Sequence, residues 1–173
     1  MKKSMKETGN MPNEHLHDLM VDELRDILGA EKQLLKGLKK MSSEADNEML
    51  QQAFQQHLKQ TEGHIERLRQ VFEHMGIKAR SKTCKAMEGL LKEAEEIISD
   101  FEDNPAKDAA LICAAQKIEH YEIASYGTLA TYAELMQHNE VAELLKQTLS
   151  EEKRTDTRLT EIAMNSANIE QTA

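Results

Sequence analysis

Tryptophan is absent from this 173-residue chain, aromatic residues make up 3% of it, and it holds only 2 prolines and 7 glycines. Strand-rich domains draw on aromatic and β-branched residues bounded by glycine and proline turns, so this shortage argues against a β-rich fold. Two cysteines, Cys84 and Cys113, are too few for a disulfide framework and have no metal-ligand spacing, which leaves them as free thiols without an assigned role. No run approaches the roughly 18 apolar residues of a membrane-spanning helix, and the polar start, Met1 to Asn10, lacks the apolar stretch of a signal peptide. A cytoplasmic protein with no membrane partner is the expectation. A stripe of lysine and arginine interleaved with aromatics is also missing, and a net charge of −9 would repel a phosphate backbone, so nucleic acid is not an expected partner. Neither a phosphate-cradling glycine loop nor the activated nucleophile of a hydrolase is present.

The chain is instead rich in Leu, Glu, Lys, Gln, Ala and Met, with 39% hydrophobic and 31% charged residues, a composition that favours an all-α fold. Residues 1–12 lack periodicity and read as a flexible tail; residues 13–165 form one domain, and residues 166–173 read as a frayed end. Leu16, Leu19, Leu24, Ile27, Leu28, Glu31, Leu34, Leu35, Leu38 and Met41 recur at spacings of three and four, one face of a first helix. A second stripe runs Leu50, Ala53, Phe54, His57, Leu58, Thr61, Ile65, Leu68, Phe72 and Met75, with Gly76 as a left-handed cap. After a basic linker at 78–82, a helix from about Thr83 to Asp103 precedes Asn104 and Pro105, read as cap and first-turn residue of the next long helix. That helix carries Leu111, Ile118, Glu119, Glu122, Tyr126 and Leu129, and the last one Val141, Leu145, Glu152 and Leu159. The two short connections make two antiparallel hairpins. The intervening helix of about twenty residues, roughly 30 Å long, returns the chain to the other end, giving a ferritin-like four-helix bundle with a fifth helix in its long crossover.

Burying a lone carboxylate is costly unless it is paired, protonated or metal-bound, so acids on an apolar stripe carry chemical meaning. Glu31, His57, Glu122 and Glu152 place one such group on each long helix. Counted from a turn near residue 44, Glu31 and His57 are each thirteen residues away; counted from a turn near 137, Glu122 and Glu152 are each fifteen away. Both pairs then fall about 20 Å from their turns, in mid-bundle. Glu119, one turn before Glu122, is a further ligand candidate, with Glu62 and Glu151 as candidates at the edge and Tyr126 as a hydrogen-bonding support. Oxygen-rich ligation with one imidazole suits a dinuclear iron or manganese site better than structural zinc. The other histidines, His15, His17, His64, His74, His120 and His138, read as surface residues. The competing reading is a non-catalytic interaction protein whose inner acids and His57 form a metal-free polar cluster that fixes helix register.

Four segments carry a family resemblance: Ala30-Glu31-Lys32-Gln33, His57-Leu58-x-x-Thr61-Glu62, Ile118-Glu119-His120-Tyr121-Glu122-Ile123-Ala124-x-Tyr126 and Glu151-Glu152-Lys153. Together they resemble the signatures of the ferritin-like DUF892 family, over the whole chain after residue 13. The resemblance implies a rubrerythrin-like five-helix subunit, a homodimer and a role in stress response, without a defined reaction. Di-iron proteins of this architecture use a Glu on each of two helices and a Glu-x-x-His on each of the other two. Here Gln60 stands three residues after His57 and Thr155 three after Glu152, so both expected histidine positions lack one and a di-metal oxidoreductase activity is left unassigned.

Overall fold

Each of the four long apolar stripes closes into a helix in the computed structural model, which describes residues 14–167. The helices are α1 (Glu14–Glu44), α2 (Glu48–His74), α3 (Lys85–Asp100), α4 (Lys107–Leu135) and α5 (Asn139–Ile162), followed by a π-helical turn at Ala163–Ala167. Among the described residues there is no strand. The readings for residues 1–12, and for the C-terminal stretch beyond residue 167, lie outside the described residues. Packing of α1 on α2, α2 on α5, α5 on α4 and α4 on α1 closes the ring of a four-helix bundle, with α3 laid over α1 and α4.

Helix ends fix the register of this ring. Asn47 caps α2, its side chain accepting from the Met49 and Leu50 amides. Gly76, at φ +66°, closes α2 as expected, with Ile77 N donating to Phe72 O and Gly76 N to Glu73 O. The same pair of bonds ends α4, from His138 N to Ala133 O and from Gln137 N to Glu134 O, but there a non-glycine residue, Gln137, takes the left-handed position at φ +61°. Asn104 and Pro105 do not begin α4; they form a turn ahead of it, in which the Asn104 side chain accepts from Ala106 N and its carbonyl from Lys107 N. The start of α4 is anchored by Asp108, buried against the α1–α2 connection, where its two carboxylate oxygens accept from the Asp46 and Asn47 amides. This contact sets the beginning of α4 beside the beginning of α2, so the two helices run parallel across the bundle diagonal.

The crossover has the expected order, basic linker then helix, but α3 is 16 residues long and not the roughly twenty expected to span the return by itself. From the end of α2 the chain runs extended to the middle of α1, where Lys82 N donates to Arg25 O, and α3 covers only the remaining half. The reason is Gly29: a Cβ there would lie 1.8 Å from the Lys82 carbonyl oxygen, so the strand-like segment can rest on α1 only at a residue without a side chain. Cys84 then clamps the segment in place, exchanging two hydrogen bonds with the Gln33 side chain on α1 and placing its Sγ 3.0 Å from the Tyr121 hydroxyl on α4. Tyr121 in turn donates to Asp26 at 2.9 Å. Leu19, read as part of the inner stripe, is 44% exposed, because Met20, in phase with Leu24, Ile27 and Leu28, occupies the inward position.

Two substitutions test this account by chemical denaturation. Gly29→Ala drives a methyl group into a main-chain carbonyl and is expected to destabilise by about 1–3 kcal/mol, with the crossover displaced. Gln137→Gly relieves a left-handed side chain and is expected to stabilise by somewhat less than about 1 kcal/mol, since the freer unfolded chain offsets part of the gain.

Candidate metal centre

Halfway along the bundle the apolar layers are interrupted by Glu31 from α1, His57, Thr61 and His64 from α2, Glu119 and Glu122 from α4, and Glu152 from α5, none more than 2% exposed. They fall into two overlapping groups. His57, Glu119, Glu122 and Glu152 offer ligand atoms that all lie within 4.8 Å of one another, and so do Glu31, His64 and Glu152. Glu152 belongs to both groups, with Oε2 3.9 Å from His57 Nδ1 and Oε1 3.0 Å from His64 Nδ1.

Eight buried donor or acceptor atoms in this cluster have no hydrogen-bond partner: Glu31 Oε2, His57 Nε2, His64 Nδ1, Glu119 Oε2, both oxygens of Glu122 and both of Glu152. The 3.0 Å approach of His64 to Glu152 is an ion-pair distance without hydrogen-bond alignment. Leaving one such atom unmatched in a core costs about 1–3 kcal/mol, more for a charged group. A cation among them would satisfy several at once, and the donor set fits one.

Surrounding contacts aim the ligands. The Tyr126 hydroxyl donates to Glu31 Oε1, leaving Oε2 for the site. His64 Nε2 donates to Glu151 Oε2 at 2.8 Å, and Glu151 is gripped through both its oxygens by Arg67, which also donates to Thr148 Oγ1. A carboxylate only accepts, so the proton sits on Nε2 and Nδ1 faces Glu31 and Glu152. On the other side the Thr155 hydroxyl gives its proton to the Glu151 carbonyl, so at 3.3 Å it accepts from His57 Nδ1. The lone pair of His57 is thereby on Nε2, which lies 3.5 Å from Glu119 and 4.0 Å from Glu122. Each imidazole is thus held with one nitrogen engaged outside the cluster and the other turned inward.

Without a cation the cluster is electrostatically tense. Burial, and then the charge of Glu152, push the Glu119 and Glu122 carboxyls well above the usual range. Burial lowers His57. Burial also works against protonated His64, but the flanking carboxylates of Glu152 and Glu31 outweigh it and raise that imidazole to about 10. Glu151 resists its own desolvation and is held low by Arg67 and His64.

Several sequence-based expectations are corrected here. Glu31 meets His64 and not His57: α1 continues to Glu44, which moves the centre of the turn to residue 46, and the position fifteen residues beyond it is Thr61. The two histidines on the same stripe, one turn to either side of Thr61, flank that level. His64, expected on the surface, is fully buried. It stands seven residues after His57, two helical turns along one face, and four before Leu68, a spacing visible in the sequence. Glu62 is exposed and outside the cluster, and Glu151 lies behind His64 among the supporting contacts. Glu119, Glu122 and Glu152 lie together as their spacing implied, Tyr126 supports Glu31, and Arg67, which no sequence motif marks, backs His64 through Glu151.

The pH dependence of the metal-free protein follows from these shifts. His64, raised from 6.5 to about 10 on folding, contributes stability that is complete below pH 6.5 and lost as pH climbs through about 10. The raised carboxyls of Glu119 and Glu122 act in the same direction, ionising more readily in the unfolded chain above pH 4.5. Lowered His57 and Glu151 act oppositely on the acid side. The melting temperature followed by circular dichroism should peak near pH 6 and fall steadily towards pH 10; a plateau from 7 to 10 would contradict the assignment.

The sequence profile of the family described as "Domain of unknown function (DUF892)" matches residues 15–172. The chain is 51% identical over 154 residues to protein YciF of Escherichia coli, an alignment spanning 88% of this chain and 93% of that one. The crystal structure of the E. coli stress protein YciF superposes with a TM-score of 0.85 at 50% identity, covering 90% of this chain and 99% of the other. A protein named YcfI from Rhodopseudomonas palustris superposes with a TM-score of 0.83 at 41% identity, covering 88% and 98%. A protein from Xanthomonas campestris pv. campestris, at a TM-score of 0.69 and 19% identity, covers 91% and 99% and shares the fold alone.

Proposed function

Given that this chain belongs to the DUF892 family, whose description assigns no activity, we propose that it is a stress-associated protein that binds a dinuclear iron or manganese centre in mid-bundle. The observation that carries this reading is the set of eight unpartnered buried donor atoms converging from four helices around Glu152, which belongs to both ligand groups. Four carboxylates balance two divalent cations, and the two imidazoles are inequivalently placed, one beside each cation position. Oxygen-rich ligation with nitrogen donors favours Fe²⁺ or Mn²⁺ over Mg²⁺ or Ca²⁺, and the lack of thiolates disfavours structural zinc. When bound, either metal supplies electron-transfer chemistry towards small oxidants. The chain's own contribution is to orient and seal: Tyr126 holds Glu31, the Arg67–Glu151 pair holds His64, Thr155 holds His57, and burial at 2% exposure or less shuts the ligands off from bulk solvent. The stress association rests on similarity to the E. coli stress protein YciF.

Anaerobic titration of the metal-free protein with Mn²⁺ or Fe²⁺ is expected to reach two ions per chain. Calorimetry in buffers of different ionisation enthalpy should register net proton release at pH 7, with His64, raised to about 10 in the metal-free protein, giving up its proton on binding. Glu152→Ala should abolish both binding events and lower the melting temperature of the metal-free protein at neutral pH, because the buried His64 imidazolium loses the nearer of the two carboxylates facing its Nδ1. Glu31→Ala should retain one ion. Absence of binding by the unmodified protein would leave the metal-free polar cluster as the remaining account of these residues.

A further inference from the structure

A second group of imidazoles lies at the end of the bundle, well away from the centre. His74 is the last residue of α2, ten residues beyond His64 and so about 15 Å further along that helix. His17 lies in the first turn of α1, and His138 precedes α5 at the α4–α5 connection. The antiparallel hairpins bring these chain ends together, and the rings of His17 and His138 come to 6.4 Å between centroids with a tilt of 54°. His17 Nδ1 and His138 Nε2 are both buried atoms without a hydrogen-bond partner. His74 Nδ1 stands 3.0 Å from Glu140 Oε2, and His74, His138 and Glu140 line a single cavity of about 370 Å³.

We propose that this histidine cluster is a second, separate metal site, selective for a borderline divalent cation of the Zn²⁺ class. His17 and His138 would provide the anchoring nitrogens, and His74 and Glu140 the further ligands reached across the cavity. A set dominated by imidazole with one carboxylate matches zinc, copper or nickel, in contrast to the oxygen-rich centre in mid-bundle. The backbone at His138 is already fixed, its amide bonded to Ala133 O and its carbonyl accepting from Ala142 N, so the ring starts from a defined position. The four groups are not within coordinating distance of one another in the metal-free structure, so tetrahedral ligation at Zn–N distances of about 2.0–2.1 Å requires these partly or fully exposed side chains to turn together around the ion. Burial and the neighbouring His17 hold the His138 imidazole below its ordinary pKa, and the neutral ring is the form that ligates.

The probe is Zn²⁺ added to the full, metal-stripped chain, with imidazole nitrogen resonances followed by NMR. His17 and His138 signals are expected to shift together at a common stoichiometry, and separately from those of His57 and His64, which report the mid-bundle cluster. His17→Ala and His138→Ala should each weaken this event at least tenfold, whereas His120→Ala, on an exposed face, should leave it unchanged. His17 is in the first turn of α1, so its variant is expected to keep the fold, and a melting curve checks both. Stationary His17 and His138 signals, or wild-type affinity in both variants, would overturn the proposal, as would binding confined to His74 and Glu140. None of these outcomes depends on whether the mid-bundle cluster takes up metal.

Discussion

Four carboxylates and two imidazoles dehydrated in the centre of a helical core impose the constraint that the rest of this molecule accommodates. Removing even one ionised carboxylate from water costs several kcal/mol after relaxation, and hydrophobic contacts nearby do nothing to return it. When no cation is present the strain is eased by a shift towards the protonated forms: the flanking carboxylates raise His64, and burial raises Glu119 and Glu122. That compensation works only if the four helices keep one another in register, since a slip of a single residue turns a ligand by about 100° away from its partners.

Register is held at places remote from the cluster. Asp108 ties the first turn of α4 to the α1–α2 connection, and the paired main-chain bonds closing α2 and α4 set where each following segment departs. Between them the crossover acts as a brace. Cys84 reaches Gln33 on α1 and Tyr121 on α4, each within two residues of a cluster carboxylate, Glu31 on one side and Glu119 and Glu122 on the other. A thiol with no evident chemistry thus has a positional one. Its contacts are possible because Gly29 lets the extended segment settle directly on the backbone of α1.

Much of this was legible beforehand, for reasons that differ by element. The long helices follow from three- and four-residue spacing over many turns, and Glu122 and Glu152 were paired correctly because the α4–α5 turn is short and its centre unambiguous. A count from residue 44 sets Glu31 level with His57, but α1 runs to Glu44 and the centre of the turn lies two residues later, which brings His64 to Glu31 instead. His64 was passed over because histidine is amphipathic and its neighbours Glu62, Gly63 and Glu66 are polar, although its phase relative to His57 and Leu68 pointed inward. The division of the crossover into linker and helix is legible in the sequence, but the seating of that linker on α1 is not, because it depends on a contact between Gly29 and a carbonyl more than fifty residues away, which no local pattern encodes.

The departure from the usual di-iron pattern also reads differently in three dimensions. Where a Glu-x-x-His pair is expected on α2 the chain has Thr61-x-x-His64, and on α5 it has Glu152-x-x-Thr155, so each helix retains one half of the pair. The imidazole absent from α5 is replaced from across the interface: His57, one turn before Thr61, reaches over to hydrogen-bond Thr155 and presents its free nitrogen to Glu119 and Glu122. A threonine at 155 is small enough to leave that space and polar enough to orient the ring that fills it. Both nitrogen donors therefore come from α2 and the shared carboxylate from α5, which makes the packing of these two helices against each other the contact on which the geometry of the whole cluster turns.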